Sequence, residues 1–331
     1  MIRYNNLDGI RAYACICIIF MHTLHFGNFE ISGFIYKELI PSFTYFTALF
    51  MMISAFSMCC GYYKKFQERT ITIEEFYKKR IKRIWPFFAV FCTIELIINH
   101  DINSVYEWFA DLTLMFGFIP NHNIHVVGVG WYIGIIVLFY IIFPFFIFLM
   151  RSKKRAWITM IISIILHGLC YLRFTEAISG GNIIYSSIYF VAGGLIFLYR
   201  EALNEKTGLF AALIACLATI FYFVVNASSF SRLILFSAVL IVGVACNGRI
   251  AQSIFQNKGV RIISKYSMEI YICQMFAFHA SELMMRFCKI NISELTRYWL
   301  TTMITAIGAF LIAFVGKNGI NILMRRQRKI K

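Results

Sequence analysis

The feature that most constrains this chain is a series of ten long apolar blocks separated by shorter polar connections. Each block is close to the roughly 20 residues that an α-helix needs to cross about 30 Å of hydrocarbon. Backbone groups in lipid must be satisfied within the chain, and the alternating pattern of a β-barrel is absent from the sequence, so helices are predicted. The expected spans are approximately 8–27, 42–62, 84–99, 128–150, 156–172, 183–199, 207–226, 231–247, 267–288 and 299–318.

The composition agrees with an all-α integral membrane protein. Of the 331 residues, 60% are hydrophobic and 15% are charged, and the mean hydropathy is +0.71. A soluble domain of this length has too little interior for so many apolar side chains. We expect a membrane domain over residues 1–318, a basic cytoplasmic tail over 319–331 and no separate soluble domain. The stretch 105–119 carries Glu107 and Asp111, so it is predicted to be interfacial or re-entrant instead of spanning.

The distribution of Lys and Arg predicts the orientation. With ten spans and a cytoplasmic N-terminus, the cytoplasmic segments hold all of the 32 Lys and Arg except Lys37, Arg173, Arg232, Arg286, Lys289 and Arg297. Such a one-sided distribution follows the positive-inside rule, so both termini are expected in the cytoplasm of a multi-pass protein of the cell (inner or plasma) membrane. Topology also explains the net charge of +16. Membrane lipids are therefore expected partners, nucleic acid is not, and an oligomer is left open.

The first predicted helix, LDGIRAYACICIIFMHT, contains two ionisable residues on one face. Arg11 and His22 are eleven positions apart, which is three turns plus about 20°, and about 16 Å along the axis. Ionisable groups inside a membrane usually face the protein interior and serve function. The alternative is that Arg11 anchors the helix to phospholipid while His22 bonds a neighbouring helix. His25 could pair with His22 on a metal, but no third ligand is apparent, and no metal is predicted.

A basic cluster, FYKKRIKRIWPFF, precedes the third predicted span. Lys79, Arg80 and Arg83 are expected at the membrane surface, where guanidinium groups suit phosphate oxygens. Taken by itself, this stretch is better explained as a cluster that only fixes topology and binds anionic headgroups.

Two further apolar segments carry polar residues. Tyr140 lies in GWYIGIIVLFYIIFP, whereas Tyr271, Glu269 and Gln274 lie in SKYSMEIYICQ. The tyrosines could serve packing or the interfacial aromatic belt. A glutamate in a span has to be shielded, although Glu269 is expected near the cytoplasmic end, where it could reach water.

Together these segments resemble the acyltransferase-3 family of multi-pass membrane acyltransferases, along essentially the whole chain. LDGIR with Arg11 and His22 matches the family pattern of Arg and His eleven positions apart, and residues 79–86 are similar to its basic RRxxRIxP pattern. LFMMISAF around Ser54 resembles FFxxSGF. WYIGIIVLFYIIFP resembles WSLxxExxFYxxxP with Ile136 at the Glu position, and YSMEIYICQ resembles SYxIYLxH with Gln274 at the His position.

The resemblance implies transfer of an acyl group, usually acetyl, from cytoplasmic acyl-CoA to a hydroxyl of a cell-surface sugar, glycolipid or polysaccharide. Acetyl-CoA or another acyl-CoA would be the donor, with its phosphates against Arg11, Lys79, Arg80 and Arg83. His22 would act as general base or accept the acyl group transiently, and both routes stay open. Asp8, one turn before Arg11, would orient it by an ion pair, and Tyr140, Tyr271 and Gln274 would support the site.

Two other functions compete with this one. A glycolipid or small-molecule transporter or flippase predicts an inverted repeat, and no repeat is seen in the sequence. A catalytically inactive relative is suggested by Ile136 and Gln274. His100, Asp101, His122 and His125 fall in the longest outer segment, where they could contact an acceptor or simply lie in a solvated loop.

Overall fold

The computed structural model describes residues 4–99, 101–114, 116, 127–173, 182–225, 228–288 and 292–330. In these residues the regular structure is helical. The helices are α1 (Asn6–Phe26), α2 (Ile40–Ser42), α3 (Phe46–Gln67), α4 (Ile73–Asn99), α5 (Ile102–Leu112), α6 (Trp131–Leu149), α7 (Lys153–Arg173), α8 (Ile183–Tyr199), α9 (Glu205–Val224), α10 (Ser229–Ala245), α11 (Arg249–Phe255), α12 (Lys258–Cys288) and α13 (Glu294–Ile330). A π-helical turn, Ile35–Leu39, and a 3₁₀ turn, Phe43–Tyr45, flank α2.

Each of the ten predicted spans coincides with one of these helices, but fewer meet the length and hydropathy of a membrane span. Within the described residues six do, namely Asn6–Phe26, Ile35–Gln67, Trp131–Leu149, Lys153–Leu172, Glu205–Val224 and Glu294–Met324. A seventh is added if α10 and α11, which are bent by 113° to each other, form one broken span. The helix α8 is apolar but shorter, and α4 and α12 carry several charged residues. Multiple membrane helices are confirmed, whereas the number ten stays a prediction.

The outer faces of α7 and α9 are apolar. Ile161, Ile165 and Leu169 on α7 and Leu213 and Leu217 on α9 are exposed. Side chains at spacings of three and four residues line one face of a helix, and an extended apolar face of this kind is what lipid requires.

The short helix α5 lies within the stretch predicted to be interfacial. Ile102, Val105, Tyr106 and Phe109 are exposed at helical spacing, whereas Asp111 is buried. The Asp101 side chain accepts a 2.6 Å hydrogen bond from the Ser104 backbone N–H and so caps the helix. An amphipathic helix of this length fits the membrane interface better than a span.

The chain divides into two compact units. The first comprises Met1–Arg11, Tyr45–Arg80 and Trp131–Val260. In it, α8 packs against α3 and α7, and α10 packs against α9, α8 and α3. Aromatic rings fill the interior: the Phe139 and Phe190 rings are stacked with their centroids 4.0 Å apart. At Gly193 the backbones of α8 and α3 approach so closely that a Cβ atom would collide with the Met52 carbonyl oxygen.

The second unit comprises Ala12–Thr44, Ile81–Gly130 and Arg261–Lys331. In it, α12 is joined to α13 by a 2.9 Å hydrogen bond between the hydroxyls of Ser281 and Thr305. The Tyr298 hydroxyl of α13 donates to the Phe20 carbonyl of α1 over 3.1 Å. Residues 319–330, predicted to form a separate tail, continue the helix α13.

Glu269 does not reach water as its sequence position suggested. It is 2% exposed, and its Oε1 atom lies 2.7 Å from Lys317 Nζ of α13. The carboxylate is shielded because α13 supplies a cation 48 positions later in the chain, a tertiary contact that helix periodicity cannot reveal.

Candidate functional site

Arg11 lies in the first unit and contacts Asp8 and Ser57 there. Its Nη1 atom is 3.5 Å from Asp8 Oδ1, which confirms the predicted contact one turn apart. Its Nη2 atom donates a 2.6 Å hydrogen bond to the Ser57 hydroxyl of α3. The interaction with α3 was not predicted. It holds the guanidinium in place by a neutral partner and a carboxylate, as expected for an orientated cation.

Arg80 is the half-buried member of the basic cluster. Its Nη2 atom donates a 2.7 Å hydrogen bond to the Tyr62 hydroxyl, and Nη1 lies 3.4 Å from Met58 Sδ. The guanidinium carbon is 4.9 Å from the centre of the Tyr62 ring and 5.8 Å from that of Tyr140. Cation–π attraction therefore adds to the hydrogen bond, and the predicted supporting residue Tyr140 is next to a predicted phosphate ligand.

The rest of the cluster is exposed. The side chains of Lys79 and Arg83 are both exposed. In contrast, Arg80 Nε is buried and has no hydrogen-bond partner in the described part of the chain. The structure thus distinguishes one orientated arginine from two exposed cations, a difference that the sequence motif alone does not show.

Arg11 and Arg80 both contact the helix α3. Arg11 contacts Ser57 and Arg80 contacts Met58, which are consecutive residues. Sequence reasoning missed Ser57 and Tyr62. Polar residues at helical spacing after Ser54 in an otherwise apolar helix were the available signal.

His22 lies in the second unit, and its closest predicted companion is Gln274. The two side chains are near enough for a hydrogen bond, and the His22 ring is 5.9 Å from the Phe26 ring. Gln274 is buried, and its Nε2 atom also donates a 3.1 Å bond to the Tyr271 carbonyl. Of the described atoms, none forms a hydrogen bond with His22 Nδ1 or Gln274 Oε1, although both are buried.

This pairing determines what His22 can do. A neutral imidazole has one protonated and one acceptor nitrogen, so a contact at one nitrogen decides which of the two carries the hydrogen. Gln274 can orient the ring but cannot take up a proton at neutral pH. The amide at the position of the family histidine therefore leaves His22 as the titratable member of the pair.

Tyr271 serves packing. It is buried, and its hydroxyl donates a 2.5 Å hydrogen bond to the Val129 carbonyl, which ties α12 to the turn before α6. It also lies one turn before Gln274, whose amide bonds its carbonyl. This arrangement matches a supporting role better than a chemical one.

The segment that was predicted to be the longest outer one contributes little that the structure describes. His100, His122 and His125 lie outside the described residues, and Asp101 caps α5. No group of three or more His, Cys, Asp or Glu that could hold a metal ion occurs among the residues whose positions are described.

Comparison with known proteins supplies one match. A family model described as an acyltransferase domain matches residues 4–316 of this chain. No curated protein and no solved structure matches it.

Proposed function

The chain belongs to the acyltransferase-3 family of membrane acyltransferases, and from this premise we propose that it transfers an acyl group from acyl-CoA to a hydroxyl. Acetyl-CoA is the simplest donor. The acceptor is proposed to be a sugar, glycolipid or polysaccharide of the cell surface, and the site of action the cell membrane. The observation that supports this best is α1, an unbroken helix over Asn6–Phe26 that carries both Arg11 and His22.

The donor end is proposed to be cationic. Arg11 and Arg80 contact consecutive residues of α3, and Lys79 is exposed beside Arg80. CoA carries phosphate groups, and guanidinium groups bind phosphate through charge-assisted hydrogen bonds. Arg80 Nε, which is buried and unpartnered in the described structure, is available to such an oxygen. Arg83 and Lys79 would add long-range attraction from the surface.

The chemical step is proposed to use His22. The imidazole takes the proton of the acceptor hydroxyl as the oxygen attacks the thioester carbonyl, so that a C–O bond forms. The C–S bond then breaks, and the leaving thiolate receives the proton from the imidazolium, which gives free CoA and an ester. Gln274 would orient the ring during both transfers. An acyl-imidazole formed on His22 before transfer is the other route.

The test is incubation of the purified full-length protein with labelled acetyl-CoA, with and without envelope glycan. We expect thioester consumption, release of CoA and label in an ester on the glycan, and loss of all three in His22→Gln. If the wild-type protein consumes neither acetyl-CoA nor longer acyl-CoA in the presence of glycan, the proposal is wrong.

A transporter is the second candidate, because α10 and α11 form a broken pair bent by 113°. Broken helices near a substrate site are common in transporters. A transporter would move labelled glycolipid across vesicles without consuming a thioester, so the same assay distinguishes the two functions.

A further inference from the structure

Arg232 is a buried arginine in the first turn of α10, within the first unit, and none of the functions above uses it. It is 8% exposed. Its Nη2 atom donates a 2.7 Å hydrogen bond to the Ser229 hydroxyl, and its guanidinium carbon lies 3.8 Å from the centre of the Tyr45 ring. Its Nε atom is buried and lacks a hydrogen-bond partner in the described structure.

Polar aromatic side chains surround this arginine. The Tyr189 hydroxyl is near enough to Arg232 for a hydrogen bond, and the Tyr185 hydroxyl lies 3.0 Å from Ser229 Oγ. His167 Nδ1 donates to the Tyr185 carbonyl over 2.7 Å, because a carbonyl can only accept. The Nε2 atom of His167 is also buried, and no described atom bonds it. The cluster therefore contains two nitrogen atoms that no described residue bonds.

The charge of Arg232 is not neutralised by a carboxylate of the described residues. Arg11, Arg200 and Arg297 each have one, from Asp8, Glu201 and Glu294 respectively. Around Arg232 the neighbouring groups are neutral hydroxyls and rings. Cation–π contact compensates only part of the cost of burying a cation, so an anion is the missing partner.

The position of the cluster along α3 indicates which substrate would carry that anion. Tyr45 directly precedes α3, and Tyr62, which contacts Arg80, follows it by 17 positions, or about 26 Å along a helix. The two arginine–tyrosine sites of the first unit thus lie at opposite ends of α3, separated by nearly the thickness of hydrocarbon. If Arg80 binds the donor at one membrane surface, Arg232 lies at the other surface, where the acceptor arrives.

The local geometry also favours an anion. Arg232 lies in the first turn of α10, where the helix dipole is positive. Tyr45 is the exposed member of the cluster, with 37% of its surface free.

We infer that Arg232, with Tyr45, Tyr189 and Ser229, binds an oxyanion of the acceptor, either a carboxylate or a phosphate ester. That the ligand is the acceptor rests on the proposed transferase function. That an anion binds at Arg232 does not depend on it. A carboxylate of an acidic sugar and a phosphate on a lipid carrier present the same chemistry to the guanidinium.

The experiment measures thermal unfolding of the full-length protein in neutral nanodiscs. Glucuronate and glucose 6-phosphate should raise the Tm of the wild-type protein, whereas glucose should not, because a ligand that binds only the folded state stabilises it. Arg232→Gln should lose the increase. Arg286→Gln, which removes an exposed arginine, is the matched control and should keep it. The same measurement in nanodiscs that contain phosphatidylglycerol distinguishes a lipid phosphate from a soluble acid as the source of the bound oxyanion.

Arg232→Lys provides a second test in case the Gln variant does not fold, because it keeps the charge and should retain a smaller increase. No increase with any anion in the wild-type protein, or an equal increase in wild type and Arg232→Gln, would overturn the inference. Coupling between Arg232→Gln and Glu176→Gln in a double-mutant cycle would also overturn it, since the arginine would then be neutralised within the chain. Glu176 lies outside the described residues.

Binding is measured here without turnover. A protein that binds glucuronate but consumes no acyl-CoA would refute the transferase proposal alone. One that consumes acyl-CoA but shows no anion-dependent Tm would refute the Arg232 site alone.

Discussion

Arg80 donates a 2.7 Å hydrogen bond from Nη2 to the Tyr62 hydroxyl, and its guanidinium carbon lies 4.9 Å from the centre of the same ring. The contact orients one arginine of a basic cluster whose other members are exposed. Topology requires charge but no fixed orientation, so this contact is more than a cluster that only fixes topology would need.

The first prediction therefore concerns donor binding. Replacing both Arg80 and Arg83 by Ala should weaken acyl-CoA binding by about 10- to 100-fold, the range for losing charge-assisted hydrogen bonds. Isothermal titration with the purified protein measures it. The control is the double replacement of the exposed Lys153 and Arg155 by Ala, which should leave the dissociation constant unchanged. Equal affinity in both double variants would show that the cluster only fixes topology.

The second prediction concerns His22. Phe, Leu or Gln at this position should insert normally, since Phe and Leu remove a polar group from the helix and Gln replaces one uncharged polar group by another. Acyl transfer should fall by about 10²–10⁴, the range for losing a general base, while CoA binding is retained. His25→Gln is the matched control, because His25 is exposed on the same helix. Near-normal transfer by His22→Gln would exclude the mechanism proposed above.

The third prediction concerns Asp111, which lies in α5 and outside the candidate spans. Burial, followed by the nearby carboxylates of Glu95 and Glu107, raises the pKa of Asp111 from 3.8 to about 8. Between these values the folded protein keeps a proton that the unfolded chain releases, so this group lowers stability progressively as pH rises from about 4 to about 8. Above pH 8 the carboxyl is ionised in both states and the loss is complete.

The variant Asp111→Asn should therefore be more stable than the wild-type protein at pH 8, and the difference in Tm should shrink toward pH 4. Thermal unfolding at a series of pH values measures it. Glu107→Gln is the comparison variant, and its effect should be smaller. Glu107 raises the pKa of Asp111 only through its charge. A difference in Tm that is constant with pH would show that Asp111 has an ordinary pKa.

The fourth prediction concerns helix packing in the first unit. Gly193→Ala should destabilise the protein by about 1–3 kcal/mol, because the added Cβ meets the Met52 backbone carbonyl and neither backbone can move freely. Gly61→Ala is the matched control: that position in α3 has open space around it, so the better helix propensity of Ala should leave stability equal or higher. Unfolding in denaturant compares the two, and equal stability would contradict the close approach of α8 to α3.

The fifth prediction concerns topology. Single cysteines placed at Lys331 and in 64–83 should react only with reagents that reach the cytoplasm, and cysteines in 28–41 only with reagents applied from outside. A chain whose two termini label from opposite sides would have an odd number of spans, and the ten-span prediction would be wrong. The six helices that meet the criteria for spans do not decide this by themselves.

The sequence by itself determined the helices and the local contacts along them. Ten apolar blocks all became helices, and the ion pair of Asp8 with Arg11 followed from their spacing of three residues. These features depend on hydrogen bonds and neighbours within about four residues, which helix periodicity specifies directly.

Only the tertiary structure decided which distant side chains meet. His22 and Gln274 are 252 positions apart in the chain, and Glu269 finds Lys317 on another helix. The contact of Arg232 with Tyr45 could not be predicted from the sequence either, because an apolar helix can turn any of its faces to a neighbour. Which face is chosen depends on packing between helices, as at Gly193, and periodicity in one sequence does not identify the partner helix.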